Sequence, residues 1–240
     1  MLTALPADDR RAVIPLFTAR EAARYVRVPA STMRNWVRGY EYARADGPAV
    51  AAPVVSTLPA DRSSRATIPF IGLAEAMVVV GFRAQGLNLR KIRRALEALD
   101  REVGIQHVLA NRTLYTDGAN ILWDYARKEH DSDIEQLVEP SSGQKVFVDV
   151  VRQYLHLITY DADWWASRIE LPAFHPTRVV VDMQRGFGRP ILDEHRLAVD
   201  DVLDRFYHGH DSIHDIAADL ELDPTEVENV IRAAWRPTAA

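Results

Sequence analysis

Cysteine is absent from all 240 residues of the chain. This absence excludes disulfides, thiolate metal sites, iron–sulfur clusters and cysteine nucleophiles. Long apolar runs are also absent, because no uncharged apolar stretch reaches the length of about 18 residues that a membrane helix needs. The first residues lack the basic flank and apolar run of a secretion signal. We therefore expect a cytoplasmic protein with no membrane partner.

The sequence motifs of several common enzyme classes are missing as well. The chain has no phosphate-cradling glycine loop, no G-x-S-x-G elbow and no H-E-x-x-H pair. The abundant carboxylates of the second half leave open a magnesium site of the nuclease kind, although no spacing singles out a set of ligands. We predict that the protein is not an enzyme and uses no cofactor.

The net charge of −5 is divided unevenly along the chain. Residues 1–115 carry 17 lysines and arginines against 10 acidic residues, whereas residues 116–240 carry 12 against 24. Such asymmetry is typical of a basic part that binds an anion and an acidic part that binds something else. The alternative is that both halves are simply solvated surfaces.

Two short helices are predicted near the start of the chain. Thr18 and Glu21 form a capping box, and Ser31 opens a second helix that Gly39 ends. In a helix-turn-helix the second helix lies in the major groove of DNA, so its first turns need small hydrogen-bonding groups and cations. The second predicted helix meets this requirement. A pair of capped helices can otherwise be a simple αα corner, and that alternative stays open here.

The residues that we expect to face double-stranded DNA include no carboxylate. They are Thr18, Arg20, Ser31, Thr32, Arg34, Asn35, Arg38, Arg62 and Arg65. Met33, Trp36 and Val37 are predicted instead to hold the second helix to the core. The expected interface therefore combines cations with short polar side chains.

A wing and a basic helix are predicted to follow. Residues 40–69 are rich in proline, glycine, alanine and serine and contain the Val54-Val55 pair, which suits a loose β-hairpin with basic residues. Between residues 71 and 99 the pattern is helical, with Gly86 separating two helices. The basic face expected on the second of these helices comprises Arg90, Lys91, Arg93 and Arg94.

A change in composition near Gly104 marks the predicted boundary between a DNA-binding domain, residues 1–104, and an acidic domain, residues 105–240. In the acidic domain a turn dipeptide predicts a hairpin over residues 114–123, and residues 146–157 can form an amphipathic helix. Short strands are expected at 178–182 and 189–192, and three helices from residue 197 onward. The predicted fold class is mainly α with small β elements: a winged helix-turn-helix, then an α+β domain ending in a three-helix unit that resembles a helix-turn-helix.

The last two predicted helices, residues 213–220 and 224–235, could form a second helix-turn-helix. Its would-be recognition helix carries Glu226 and Glu228 near the start. These carboxylates would repel phosphates. We therefore interpret this unit as a protein-contact or dimerisation element.

Histidines and tryptophans of the second half have two interpretations each. His208, His210 and His214 invite a metal site, but the Ser212 cap places His210 outside the helix, and the spacing matches no established site. We therefore predict no bound metal.

Tryptophans of this kind are more often core or interface anchors than cofactor stacks. The candidate partner contacts are Trp164, Trp165 and Trp235.

Two segments resemble a known regulator family. FTAREAARYVRVPASTMRNW at residues 17–36 resembles the start of MerR-type winged helix-turn-helix regulators, and GLNLRKIRR at residues 86–94 resembles the later helix of that family. The predicted wing is longer than usual, and no long coiled coil or metal-binding cysteines follow. The effector-sensing role of MerR proteins is therefore not implied.

The C-terminal stretch, residues 178–235 with GFGRP at residues 186–190, resembles a small antitoxin-associated helical domain. Taken whole, the chain is similar to VapB-type antitoxins of mycobacteria and their relatives. This resemblance implies a homodimer that represses its own operon by binding operator DNA and that neutralises a PIN-like ribonuclease toxin. The alternative is a one-component transcriptional repressor whose second half dimerises or binds a small ligand.

Overall fold

A computed structural model describes residues 4–44, 47–60, 65–84, 87–104, 106–116 and 156–234. The helices are α1 (Arg10–Val13), α2 (Ala19–Tyr25), α3 (Ala30–Arg38), α4 (Phe70–Ala84), α5 (Leu89–Val103), α6 (Thr113–Thr116), α7 (Val199–Tyr207), α8 (Ile213–Leu220) and α9 (Pro224–Ala234). The strands are β1 (Tyr40–Arg44), β2 (Gly47–Ala51), β3 (Ile158–Tyr160), β4 (Ala166–Glu170), β5 (Val179–Asp182), β6 (Pro190–Leu192) and β7 (Leu197–Ala198). The predicted class, mainly helical with small β elements, is confirmed.

Helix α4 is buried on nearly every face and organises the first part of the chain. Its sequence is apolar almost throughout, and a helix that is apolar all round needs neighbours all round. Helix α1, the short turn Val108–Ala110 and strand β4 supply some of these neighbours. In the described ranges no helix is both long and apolar enough to span a membrane.

Glu75 is the single acidic residue of α4, and it is only 4% exposed. Its carboxylate accepts hydrogen bonds from Ser56 N at 2.6 Å and Ser56 Oγ at 3.0 Å, and it lies 3.0 Å from His107 Nδ1. The hydrogen bond to Glu75 outweighs the effect of burial and raises the pKa of His107. The buried carboxylate is thus satisfied by groups on both sides of α4 in the sequence.

The C-terminal part begins with a five-stranded antiparallel sheet in the order β3-β4-β5-β6-β7. In its centre Ile169 pairs with Val181, and Val180 pairs with Ile191. All four residues of β5 are buried, so both faces of this strand are covered. Helices α7, α8 and α9 follow, and Ser212 caps α8 as predicted. The predictions of strands near 180 and 190 and of three final helices are confirmed.

The buried core continues from the first helices into the C-terminal part. The rings of Tyr25 and Phe174 lie 6.1 Å apart between centroids, and Arg24 Nη1 donates to the Ala234 carbonyl at 3.2 Å. These contacts join residues on opposite sides of the boundary expected near Gly104. That boundary stays a prediction.

The wing is shorter than predicted. The hairpin is complete at Ala51, and Val54 and Val55 lie in the core at 5% and 2% exposure. Both valine amides donate to the Trp36 carbonyl, at 2.8 and 3.2 Å. Burial of these apolar side chains beside α3 is more favourable than their exposure in a longer wing.

The predicted hairpin over residues 114–123 is wrong at its start, because Thr113–Thr116 is helical. Asn111 Oδ1 accepts a hydrogen bond from Thr113 N at 2.9 Å, and this local turn favours entry into a helix. Leu114 points into the core at 1% exposure. The rest of that hairpin, and the predicted helix except for its last two residues, lie outside the described residues.

Candidate nucleic-acid interface

A capping box fixes the start of α2. Glu21 N donates to Thr18 Oγ1 at 3.2 Å, and Thr18 N donates to Glu21 Oε2 at 2.8 Å. The Tyr25 ring packs edge-on against Phe17 with centroids 5.8 Å apart, and burial raises its pKa to about 12. The neutral tyrosine thus anchors α2 in the core. Thr18 is half-buried in the cap, whereas Arg20 is exposed.

Helix α3 separates apolar residues from polar residues by its helical spacing. Met33, Trp36 and Val37 are buried at 0%, 1% and 8% exposure. Burial of side chains of this size stabilises the fold by about 1.5–3 kcal/mol each. The polar face of α3 is solvent-exposed at Ser31, Arg34, Asn35 and Arg38. Thr32 is half-buried at the edge of this face.

The exposed face of α3 is positively charged. The first turn contains no acidic residue, and no side chain caps the helix at Pro29. The amide groups at such a helix start favour a negatively charged neighbour. Among the described residues, neither Arg34 nor Arg38 pairs with a carboxylate. This face is therefore suited to phosphates and to the acceptor groups on base edges.

Gly39 joins α3 to the wing formed by β1 and β2. Its φ is 68°, and a Cβ atom at this position would lie 2.1 Å from the Ala51 carbonyl oxygen. The two wing strands pair from Tyr40 opposite Ala51 to Arg44 opposite Gly47. The close approach at Gly39 therefore fixes the base of the wing at the end of the candidate recognition helix.

The prediction that Arg93 belongs to an exposed basic face is wrong. Arg93 is 9% exposed, and its Nε donates to the Ala52 carbonyl at 2.6 Å. Its Cζ lies 5.2 Å from the centroid of the Tyr40 ring. One side chain of α5 thus contacts the start of β1 and the residue after β2, which lie together at the base of the wing. Sequence reasoning missed this role, because Arg93 stands among charged neighbours and only the folded hairpin distinguishes it.

Two further arginines concern the same interface. Arg65 is exposed, whereas Arg62 lies outside the described residues. Arg27 was not predicted as a contact, yet it is exposed in the turn between α2 and α3 with a φ of 58°. A non-glycine residue in the left-handed region is uncommon. Its place in the turn adds a cation beside α3.

The C-terminal candidates divide into exposed and buried residues. Trp164 is 45% exposed, but Trp165 is 1% exposed and lies in the core, so its prediction as a partner contact is corrected. Trp235 lies outside the described residues.

The histidines considered as metal ligands, His208, His210 and His214, are all exposed. In the described ranges, no group of three or more histidine or acidic side chains is arranged to hold a metal ion.

The acids at the start of α9 belong to a local network. Glu226 Oε2 lies 3.1 Å from His195 Nε2 and accepts a hydrogen bond from Asp223 N at 3.2 Å. Glu228 forms an ion pair with Arg232 one turn later. The interpretation of α8 and α9 as a protein-contact element stays a prediction.

The sequence family described as "Putative DNA-binding HTH domain" matches residues 15–96, and "Protein of unknown function (DUF433)" matches residues 179–233. The crystal structure of Rv2018 from Mycobacterium tuberculosis is similar, with a TM-score of 0.71 and 35% identity over 92% of this chain and 99% of that chain. Together with the exposed cationic face of α3, these matches define a helix-turn-helix DNA-binding protein.

One relative indicates which family of helix-turn-helix DNA-binding proteins includes this chain. "Putative antitoxin VapB45" of Mycobacterium tuberculosis (strain ATCC 25618 / H37Rv) is 37% identical over 226 residues, which cover 92% of this chain and 94% of the relative. The chain belongs to the family of VapB-type antitoxins. The narrower resemblance to MerR regulators stays a prediction.

Proposed function

We propose that this chain binds operator DNA as a homodimer, represses its own operon and neutralises a PIN-like ribonuclease toxin. The observation that carries the proposal is the exposed face of α3, which combines short polar side chains with Arg34 and Arg38 and contains no acid. Arginines can form bidentate hydrogen bonds with guanine, and asparagine can do so with adenine.

The wing and the helix pair support a conventional docking geometry. A recognition helix of nine residues reads one short half-site in the major groove. Two copies related by a two-fold axis would read a paired site and gain affinity through tethering. Binding at the promoter of its own gene would then block transcription.

The acidic second half supports a protein partner. Residues 116–240 carry 12 basic against 24 acidic side chains, so this half is repelled by phosphates. The relative is named an antitoxin, and an antitoxin must contact its toxin. Resemblance to VapB systems points to a ribonuclease of the PIN type as that toxin.

Titration of wild type and variants with the DNA upstream of the chain's own gene tests the first part. We expect Arg34→Ala to weaken binding about 5- to 150-fold, because a lost groove contact costs about 1–3 kcal/mol, and Arg38→Ala to have a smaller effect. Arg196→Ala, which alters an exposed arginine in the β6–β7 turn, is the control. Unchanged binding by a folded Arg34→Ala variant would remove α3 as the recognition helix.

Co-expression with the product of the neighbouring gene, followed by an RNA-cleavage assay, tests the second part. We expect a stable complex in which RNA cleavage is suppressed. If the neighbouring product does not cleave RNA, or if its cleavage is unaffected by this chain, the one-component repressor replaces the antitoxin mechanism proposed here.

A further inference from the structure

Two hairpin loops lie at the same end of the C-terminal sheet. In an antiparallel meander the β3–β4 loop and the β5–β6 loop share an end, because successive connections alternate between the two ends. Gln184 Nε2 donates to Asp161 Oδ2 across the two loops at 3.3 Å. Residues 161–164 and 183–189 therefore form one continuous area, which we call the loop surface.

Each loop presents an exposed aromatic ring from left-handed backbone. Trp164 has a φ of 71° and is 45% exposed, and Phe187 has a φ of 53° and is 70% exposed. Large residues rarely adopt positive φ, and the conformation costs about 1 kcal/mol or more. Both rings nevertheless leave a large apolar area exposed to solvent, which a partner that covers them would bury.

The backbone that carries each ring is held in place by its neighbours. Phe187 is flanked by two glycines with positive φ, and a Cβ atom at Gly188 would lie 2.5 Å from Leu16 Cδ1. In the other loop the Trp164 carbonyl accepts a hydrogen bond from Arg112 N at 2.8 Å. A backbone that is already in place loses little conformational entropy on binding.

This area is less acidic than its surroundings, although it also contains Asp161 and Asp163. Residues 156–234 contain 7 arginines against 16 acidic residues. Four exposed arginines nevertheless border the loop surface or its adjoining cleft: Arg10, Arg112, Arg185 and Arg189. In the part of the chain that the structure describes, none of the four has a carboxylate within salt-bridge distance. They are available to acids on another molecule.

A cleft of about 440 Å³ adjoins the loop surface. Its walls come from both loops and from residues 6–11. Arg11 Nη2 bridges Asp9 Oδ2 at 2.7 Å and Asp163 Oδ2 at 2.5 Å, which fixes residues 6–11 beside the β3–β4 loop. Asp163 and Gln184 of the two loops thus line a concave area of the kind that receives a side chain of a binding partner, although neither ring is part of its lining.

We propose that the loop surface is the docking site for the protein toxin, with Trp164 and Phe187 as anchors and the surrounding arginines paired to carboxylates of that partner. This inference rests on the proposed toxin neutralisation. A nucleic acid is disfavoured, because regularly spaced phosphates would also meet Asp8 and Asp200, which stand near Arg10 and Arg189. A folded protein can present carboxylates only opposite the arginines.

The test compares full-length variants in titrations with the ribonuclease encoded next to this chain. Trp164→Asn and Phe187→Asn remove the rings, and asparagine tolerates the positive φ at both positions. We expect each variant to raise Kd about 30-fold or more, as for interface anchors, and to leave affinity for operator DNA unchanged. Tyr207→Ala, which alters a ring that is 40% exposed on α7, should leave both affinities unchanged.

A charge variant provides an independent arm. Arg185→Glu combined with Arg189→Glu should weaken toxin binding, whereas Arg196→Glu, in the β6–β7 turn at the opposite end of the sheet, should not. If wild type binds the ribonuclease and a folded variant that combines Trp164→Asn with Phe187→Asn binds it equally well, the loop surface is overturned while neutralisation stands. Failure of wild type to bind overturns both proposals. If the asparagine or glutamate variants lose nucleic-acid binding but keep toxin binding, the loop surface is not a protein site and the proposal is overturned.

Discussion

Gly39 is the residue at which α3, the candidate recognition helix, ends and the wing begins. We expect Gly39→Ala to lower the free energy of unfolding by about 2–4 kcal/mol, because a positive φ and a clash with the Ala51 carbonyl act together. Gly104→Ala is the matched control, since its φ of 65° is similar but nothing lies within 4 Å of the added Cβ. Urea unfolding measures both variants. Equal losses would show that the close approach to Ala51 is unimportant.

His107 makes part of the stability depend on pH. Its hydrogen bond with Glu75 raises the pKa of the folded-state histidine, so its stabilising effect is complete below the unfolded-state pKa of about 6.5. The effect is lost as pH rises through the higher folded-state value. We expect the difference in Tm between wild type and His107→Gln to shrink over that interval. A difference that stays constant from about pH 5.5 to about pH 9 would contradict the assignment.

The wing depends on a side chain from another element. Arg93→Lys keeps the charge but loses the planar guanidinium that contacts Tyr40 and the Ala52 carbonyl. We expect affinity for operator DNA to fall about 2- to 10-fold, the effect of about one hydrogen bond, with a smaller change in stability. Arg101→Lys on the same helix is the control. If both variants bind DNA equally well, the contacts of Arg93 with Tyr40 and Ala52 do not orient the wing.

The elements that sequence reasoning predicted are those with strong local signals. The Thr18–Glu21 capping box and the Ser212 cap place helix starts by hydrogen bonds within three residues. The helical spacing of Met33, Trp36 and Val37 likewise identified the buried side of α3, and hence its exposed side. Such features depend on the neighbouring sequence alone and can be predicted from it.

The features that were missed depend on residues distant in sequence. Arg93 is buried because the wing folds over it, and Trp165 is buried because Asn111 forms a bridge with it from the other part of the chain. Leu114 belongs to a helix because Asn111 turns the backbone just before it. The exposed side of α3 could thus be predicted from the sequence, whereas the contacts of Arg93 with the base of the wing could not.

The two segments that match sequence families share a single buried core. Residues 15–96 contact the C-terminal part through α2, which packs on the short turn Pro172–Phe174, and through Arg24, which donates to the Ala234 carbonyl at the end of α9. Within residues 179–233 themselves, Gly188 lies against the Leu16 side chain. Helix α4 also contacts β4 of the C-terminal sheet. The composition of the chain therefore changes near Gly104, but the packed core continues across that position.

This continuity predicts that the whole molecule unfolds in one step. Trp36 reports on the helix-turn-helix and Trp165 on the sheet, and both are 1% exposed. Variants that keep only one of these among the 5 tryptophans, with phenylalanine at the others, allow each region to be followed by fluorescence in urea. Circular dichroism of each variant gives its overall stability, and the fluorescence midpoints are corrected for that value. We expect both probes then to give the same midpoint and slope. The reason is that neither region can open without exposing apolar surface of the other. Separate transitions would instead show that residues 1–104 and 105–240 fold independently, and the contacts across the boundary would then contribute little to stability.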